Sequence, residues 1–150
     1  MIPILEQIVP TKSPLLIIAQ DIGQEALSTL ILNNVRQTIN VAAVRAPAFG
    51  TLRKAILQDI AILTNTTVIT EEAGLLLKNV TLESLGRARN ITITKNMTTI
   101  VNDQTENDVK IHCNNLRKQV SLTDDSYEKE KLQNRIAKLS GGVAIIKVGA

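Results

Sequence analysis

The sequence predicts an α/β fold, and the arrangement of its apolar residues supports that prediction in three ways. Strand-like and helix-like segments alternate through the first half of the chain, an order typical of strand–helix–strand units with a parallel sheet. A stretch of alternating apolar and polar residues then indicates a β-hairpin. Two charged helical segments and a final apolar run complete the chain. We therefore expect a mixed sheet with flanking helices, a β-hairpin and a C-terminal αα-hairpin.

The composition is that of one globular domain. A chain of 150 residues can bury a core without disulfides or metal ions. Apolar residues make up 44%, and Phe49 and Tyr127 are the only aromatic residues, so the core must consist of Leu, Ile, Val and Ala. The single cysteine, Cys113, excludes an internal disulfide and indicates a reducing compartment. No apolar run approaches the ~18 residues that indicate a membrane-spanning helix.

The charge balance does not favour a nucleic-acid-binding protein. The chain has 17 basic and 14 acidic residues and a net charge of +3. Segments such as RKAILQD and EKEKLQNR mix the two signs, whereas a nucleic-acid footprint requires a basic patch. Aromatic side chains for base stacking are also nearly absent. We interpret the charges as a mixed, solvated surface.

Three helices and three strands are predicted in the first half of the chain. Pro3 suits the first turn of a helix and Pro10 ends it. The segments PLLIIAQ, NVAAVRA and TTVIT are short apolar or β-branched runs, as buried strands are. In chain order, we expect a helix before Pro10, a strand at Pro14–Gln20, a helix at Gln24–Ile39, a strand at Asn40–Ala46, a helix at about Leu52–Leu63 and a strand at Thr66–Thr70.

The second half predicts a hairpin followed by two helices. Short helical pieces broken at Gly74 and Gly86 lead into NITITKNMTTIVND, whose alternating isoleucines predict a β-hairpin with one face in water. Charged helices at Glu106–Leu122 and Asp125–Leu139 are separated by so short a loop that they form an αα-hairpin. Glycines stop the second helix, and GGVAIIKVGA closes the chain as a buried strand.

The helix Gln24–Ile39 carries more apolar surface than one core contact needs. Its apolar side chains cover an arc of roughly 240° at about 100° per residue, against the ~100° that packing on one neighbour requires. The first helix is also apolar on two sides. Either both helices are sandwiched between other elements, or part of their surface stays exposed and binds an apolar partner. The candidates for exposure are Ile2, Leu5, Leu27, Ile31 and Leu32.

No catalytic, cofactor-binding or metal-binding residues are predicted. His112 and Cys113 are adjacent, but a zinc site needs three or four ligands and the chain has no other His or Cys. Neighbours in a helix point about 100° apart, which also disfavours a catalytic pair, so we interpret them as a helix-surface pair. The segments APAFG and SGGVA match no phosphate-binding loop, and we interpret them as a tight turn and a helix stop.

At the level of sequence blocks, the chain resembles the group I chaperonins, the GroEL family. The resemblance covers essentially all 150 residues and lies in PLLIIAQDIGQEALSTLILNNVR, VAAVRAPAFGTLRKAILQDIAILT, TVITEEAG, TLESLGRAR and DDSYEKEKLQNRIAKLSGGVAIIKVGA. It implies that residues 1–150 are a single apical, polypeptide-binding domain that is incomplete at its N-terminus. Residues from about 141 to 150 would be the strand that returns toward the hinge of the intermediate domain.

The resemblance also implies a function and partners. Apical domains of the family bind non-native polypeptides, and the mobile loop of the co-chaperonin lid, in an apolar groove between two helices of each subunit in a seven-membered ring. Ile2 and Leu5 match aliphatic positions of the first helix; Leu27, Ile31 and Leu32 match those of the second. The fragment would lack the ATPase domain and not be an enzyme, with ATP and Mg²⁺ bound only by the full-length protein. No nucleic acid or membrane is expected as a partner.

One loop departs from the family pattern. This chain reads APAFGTLRK where the family usually has a glycine in place of Ala48 and charged residues in place of Thr51 and Leu52. The Asn-, Ile- and Lys-rich composition is typical of an AT-rich genome. We therefore expect the plastid stroma or a bacterial cytoplasm as the location.

Two other functions remain open from the residues alone. A small-ligand-binding α/β domain or enzyme would place its site at the carboxyl ends of the strands, near Asp21 or Pro47–Phe49, and would bury the second helix. A basic nucleic-acid-binding domain would bind with a steep salt dependence, whereas capture of apolar segments tolerates salt.

Overall fold

The computed structural model describes residues 2–20, 23–35, 40–70, 74–75 and 77–147, with the side chains of residues 2, 3, 33–35 and 78 left out. The chain divides into two compact units. Unit 1 comprises Met1–Ala46 and Ile69–Leu85, and unit 2 comprises Pro47–Val68 and Gly86–Ala150. The chain thus leaves unit 1 after Ala46 and returns to it for one short segment, Ile69–Leu85.

Unit 1 contains the predicted strand–helix–strand unit. Its elements are α1 (Ile2–Ile8), a 3-10 turn (Val9–Thr11), β1 (Leu15–Ala19), α2 (Gln24–Val35) and β2 (Val41–Arg45). The two strands are parallel and in register from Leu15 opposite Val41 to Ala19 opposite Arg45. This confirms the predicted crossover, because parallel neighbours need such a connection. Residues 36–39 of the predicted second helix lie outside the described part of the chain.

The core of unit 1 joins α1, α2 and the strand pair. Leu5 and Ile8 of α1 meet Leu30 of α2 and Val41 of β2 in one buried cluster. The returning segment, with 3-10 turns at Leu77–Asn79 and Leu82–Ser84, packs against α1. The Gln7 side chain fixes this segment, since its amide donates to the Val80 carbonyl at 3.1 Å and accepts from the Leu82 N–H at 3.1 Å.

Unit 2 contains the hairpin and the three longest helices of the described chain. Its elements are α3 (Gly50–Thr64), β3 (Asn90–Ile93), β4 (Met97–Val101), α4 (Glu106–Leu122), α5 (Ser126–Ser140) and β5 (Val143–Lys147). The strands form an antiparallel sheet in the order β3-β4-β5. Both the β-hairpin and the αα-hairpin are confirmed. Asp125 caps α5, because its Oδ1 accepts from the Tyr127 N–H at 2.9 Å.

The core of unit 2 is aliphatic, as the scarcity of aromatic residues requires. Alternate residues of β4, Thr98 and Ile100, are buried, while every residue of β3 is exposed. The outer strand of the hairpin, β3, is therefore exposed to water along its whole length. The fully buried larger side chains are Leu63, Ile100, Leu116, Ile146, Thr98 and Cys113.

The sheet arrangement differs from the prediction in two details. The α/β class is confirmed, but among the described residues the parallel pair and the antiparallel strands form two separate sheets. The predicted strand Thr66–Thr70 is wrong, since these residues are irregular. Left-handed Asn65 ends α3, and the chain then passes from unit 2 to unit 1 between Val68 and Ile69. Its β-branched residues favour a strand, but no described strand pairs with them.

Candidate functional site

The apolar arc of α2 is divided between the core and water. Leu30 is 2% exposed, whereas Ile31 and Leu32 are 55% and 49% exposed. One residue step turns the helix by about 100°, so Ile31 and Leu32 lie about 100° and 160° around α2 from Leu30. Leu27 is partly buried between the two. The expected exposure of Ile31 and Leu32 is confirmed, and we call this pair the α2 face.

The first helix does not share this exposure. Leu5 is 6% exposed and lies in the core of unit 1 with Ile4 and Ile8, so the prediction that Leu5 stays exposed is wrong. The physical reason is the returning segment, which packs on α1 through its two 3-10 turns. A helix of seven residues between this segment and the rest of the core has little surface left. The side chain of Ile2 lies outside the described part.

The other exposed residues that the structure describes on α2 are uncharged or acidic. They are Gln24, Glu25 and Ser28. An amide, a hydroxyl and a carboxylate at the surface do not form a nucleophile–base pair of the kind that covalent catalysis needs. The chemistry available at this surface is the burial of apolar groups.

Unit 2 contains a polar cluster that the sequence analysis did not predict. The Asp59 carboxylate of α3 is 7% exposed and accepts from Arg135 of α5, with Nε–Oδ2 at 2.7 Å and Nη2–Oδ1 at 2.8 Å. The His112 Nε2 of α4 lies 2.7 Å from Asp59 Oδ1. One carboxylate therefore connects three helices. An aspartate in the apolar stripe of α3 was the available sequence signal.

The interpretation of His112 and Cys113 as a surface pair is wrong. The His112 side chain is mostly buried against Asp59, and Cys113 is buried. Inward positions on α4 recur at Val109, Cys113 and Leu116, and His112 lies at the edge of that stripe. Because the Asp59 carboxylate already has a bidentate arginine partner, the cluster is an internal ion pair that holds helices together.

The loop before α3 has a strained residue. Ala48 has a φ of 61°, a left-handed conformation that favours glycine. The Ala48 carbonyl accepts from Arg53 Nη2 at 2.8 Å and Nε at 3.1 Å, and the same guanidinium lies 5.4 Å from the centre of the Phe49 ring. The loop is thus held by Arg53. The other position considered for a ligand site, Asp21, lies outside the described residues.

The described residues offer neither a metal-binding cluster nor a membrane-spanning helix. The described part of the chain has no group of three or more His, Cys, Asp or Glu side chains that could hold a metal ion. In the same residues, no helix combines the length and apolarity needed to cross a membrane.

Comparison with known proteins identifies the family of the chain. No protein-family model matches it. Over its whole length it is 60% identical, across 151 aligned positions, to the chloroplastic chaperonin GroEL of Trieres chinensis. The chain belongs to the GroEL family of chaperonins. It spans 29% of that relative's length.

A solved chaperonin has a similar fold. The chaperonin gp146 from bacteriophage EL 2 (Pseudomonas aeruginosa), crystallised in the presence of ATP-BeFx, matches 97% of this chain with a TM-score of 0.63. The match covers 30% of the phage protein, and the sequences are 20% identical. The chain and the phage chaperonin therefore share a fold although their sequences are only 20% identical.

Proposed function

We propose that this chain is the polypeptide-binding, apical module of a chaperonin and that the α2 face captures non-native polypeptides. The observation that carries the proposal is the exposure of Ile31 and Leu32 directly after buried Leu30. Leu27, partly buried between them and the core, extends the contact. Exposed apolar side chains that lie together on a surface are typical of interaction sites.

The energetics suit weak and promiscuous capture. Full burial of one Leu or Ile side chain contributes about 1.5–3 kcal/mol, and about half of each of these two remains to be buried. Ordering the partner then subtracts from the gain. Apolar contact has no directional requirement, so the α2 face accepts any segment that offers apolar side chains. Such segments are exposed in non-native chains and buried in native ones.

The two helices have different roles in this proposal. Leu5 was expected to contact the bound polypeptide directly. Its role in this proposal is instead to hold α1 on the core of unit 1. Ile2 remains a proposed contact by resemblance alone. Residues 1–150 act as one apical domain, and the last strand leads toward the intermediate-domain hinge of the longer protein.

In the full-length protein, the module would work in a seven-membered ring in the plastid stroma, in keeping with its chloroplastic relative. The same face would receive the mobile loop of a co-chaperonin lid. ATP and Mg²⁺ would be bound elsewhere in the longer protein, since APAFG and SGGVA match no phosphate-binding loop. The module itself binds without catalysing.

Suppression of the aggregation of a chemically denatured client tests the proposal. The wild-type chain is compared with Ile31→Ser/Leu32→Ser and with a matched control, Ile111→Ser/Leu122→Ser, which removes two exposed aliphatic side chains from α4. We expect the α2-face variant to lose suppression and the control to keep it, with circular dichroism verifying that all three are folded. Equal suppression by all three folded chains would contradict the proposal.

A further inference from the structure

The outer strand of the unit 2 sheet has one edge with which no described strand pairs. The sheet order is β3-β4-β5, so β3 meets β4 on one side only. The Thr94 N–H donates to the Met97 carbonyl at 2.7 Å, and hydrogen-bonded and non-hydrogen-bonded pairs alternate along an antiparallel ladder. The N–H and C=O groups of Ile91 and Ile93 therefore point away from β4. We call these backbone groups and the two isoleucine side chains the β3 edge.

The side chains of the β3 edge extend the apolar face of the unit 2 core. Ile91 lies opposite Ile100 and Ile93 lies opposite Thr98, and residues directly opposite on paired strands share one face of the sheet. Ile100 and Thr98 are each 1% exposed, whereas Ile91 and Ile93 are 39% and 45% exposed. The face that is buried at β4 is thus open to water at β3. A further strand beside β3 would place alternate side chains against the two isoleucines.

Basic residues lie at both ends of β3. Arg89 directly precedes the strand and Lys95 lies in the hairpin turn, and both are exposed. Residues 86–101 include these two and Arg87 as basic residues and contain no acidic residue. Asp103, beyond β4, accepts from Arg89 Nη1 at 2.6 Å, and the two side chains are 61% and 68% exposed. Such an exposed pair is weak and uses one of the five donors of the guanidinium.

We propose that the β3 edge binds an extended polypeptide segment as a fourth strand of this sheet, and that the segment carries alternating aliphatic residues with a carboxylate at each end. The backbone groups of Ile91 and Ile93 form the hydrogen bonds, as when a peptide strand adds to the edge of other sheets. Arg89 and Lys95 attract the carboxylates at the two ends of the segment. The inference does not depend on the proposed function, because it concerns a different surface in the other unit.

The same basic residues disfavour a second copy of this chain as the occupant. An antiparallel pair of β3 strands that uses all the outward backbone groups is centred on Thr92. It places Arg89 of one copy opposite Lys95 of the other, and like charges directly opposite destabilise paired strands. Basic side chains commonly protect edge strands from pairing between copies. A segment with acidic ends meets attraction instead.

The expected preference for acidic ends is modest and depends on salt. Ion pairs between exposed groups are individually weak, so two of them should separate acidic from basic ends by about three- to tenfold in affinity. The screening length falls to ~3 Å at 1 M salt, and the preference should disappear there. The backbone hydrogen bonds and the apolar contact remain at high salt.

Three fluorescein-labelled peptides test the chemistry of the segment. They share a core of alternating isoleucine and threonine and carry glutamate, glutamine or lysine at both ends, and their dissociation constants are measured by fluorescence anisotropy with the 150-residue chain. We expect affinity to fall from glutamate to glutamine to lysine ends at low salt. Arg89→Gln/Lys95→Gln should bring the ratio of the glutamate to the lysine peptide close to one. Lys110→Gln/Lys118→Gln, the same charge change at exposed positions of α4, should keep the ratio.

Two variants of β3 test where the segment binds. Ile91→Pro removes an N–H that points away from β4, so the hairpin keeps its own hydrogen bonds, and it should weaken binding of the glutamate peptide about tenfold. Ile91→Thr/Ile93→Thr keeps β-branched side chains that suit a strand and removes the apolar contact, so it should weaken binding as well. Circular dichroism verifies that both variants are folded.

Four results would overturn the inference. The first is wild-type affinity for the glutamate peptide in both folded β3 variants, and the second is equal affinity of the wild type for all three peptides. The third is a dimer in sedimentation velocity that Ile91→Pro dissociates, since a second copy would then occupy the edge. The fourth is binding that Ile31→Ser/Leu32→Ser abolishes and Ile91→Pro keeps, which would place the peptide on the α2 face and leave the proposed function intact.

Discussion

The two units of this chain hold their helices in different ways. In unit 1, α1 and α2 meet the strand pair through aliphatic side chains, and a single glutamine adds hydrogen bonds between α1 and the returning segment. In unit 2, α3, α4 and α5 are joined by an aliphatic core and by the Asp59 carboxylate, which reaches Arg135 and His112. Both units therefore combine apolar contacts with hydrogen bonds, but in unit 2 one buried carboxylate is shared by three helices.

This difference bears on where each unit exposes apolar surface. Unit 1 leaves half of Ile31 and Leu32 in water on a helix whose opposite side is its core. Unit 2 exposes Ile111 and Leu122 at separate positions of α4, and Ile91 and Ile93 on the outer strand of its hairpin. A binding surface needs adjacent apolar groups on a stable support, and scattered ones are ordinary on any protein.

Removing the carboxylate that joins three helices should have the largest effect on stability. In Asp59→Ala, the Arg135 guanidinium is left mostly buried without its partner, and we expect a loss of about 3–5 kcal/mol in the free energy of unfolding. Asp103→Ala is the control, because it breaks the exposed Arg89–Asp103 pair and should lose at most about 1 kcal/mol. Urea denaturation measures both. Similar losses would mean that Asp59 has no special role.

Two alanine substitutions at neighbouring positions of α2 test whether that helix is divided between the core and water. Leu30→Ala creates a cavity in the core of unit 1 and should lose about 2–5 kcal/mol. Ile31→Ala, one residue later, should lose under about 1 kcal/mol because its side chain is half in water. Thermal unfolding of the two variants gives the comparison. If Ile31→Ala is as destabilising as Leu30→Ala, then Ile31 belongs to the core and the α2 face is wrongly placed.

Two glycines differ in how closely other atoms surround them. A Cβ at Gly86 would lie 2.8 Å from the Thr64 carbonyl oxygen, while one at Gly23 meets nothing within 4 Å. We expect Gly86→Ala to lose about 1–3 kcal/mol through overpacking. Gly23→Ala should be neutral within about 0.5 kcal/mol. Melting temperatures measured side by side would refute this contrast if the two variants were equally stable.

The smallest effect is expected at the loop before α3. Ala48→Gly relieves a left-handed alanine but makes the unfolded chain more flexible, so the gain in stability should not exceed about 1 kcal/mol. Arg53→Lys in α3 serves as the opposite test, since lysine cannot reproduce the paired hydrogen bonds to the Ala48 carbonyl. A melting temperature that falls in Ala48→Gly would show that Ala48 is not strained.

Local patterns predicted most of the elements. Apolar periodicity and the glycines after the second charged helix placed α4, α5 and the hairpin close to their observed bounds, because caps and periodicity act within a few residues. Composition also predicted an aliphatic core. Thr66–Thr70 was misassigned because its β-branched residues meet the local requirement of a strand, while a strand also needs a neighbour to pair with.

The candidate site was only partly accessible from the sequence. The surplus apolar arc of α2 was visible as a pattern, and with the family resemblance it named five positions. Which of them reach water was decided by packing: the returning segment buried Leu5, and nothing described in unit 1 covers Ile31 and Leu32 in the same way. The partners of Asp59 lie 53 and 76 residues away along the chain, and no local signal connects them.

What the sequence determined by itself is therefore most of the helices and strands, the aliphatic composition of the core and the family. The tertiary structure alone decided that His112 is mostly buried, that Leu5 of α1 lies in the core and that α2 keeps Ile31 and Leu32 half in water. The physical reason is range, because propensities, caps and periodicity act over one or two turns. Burial depends on which distant segments meet at a surface.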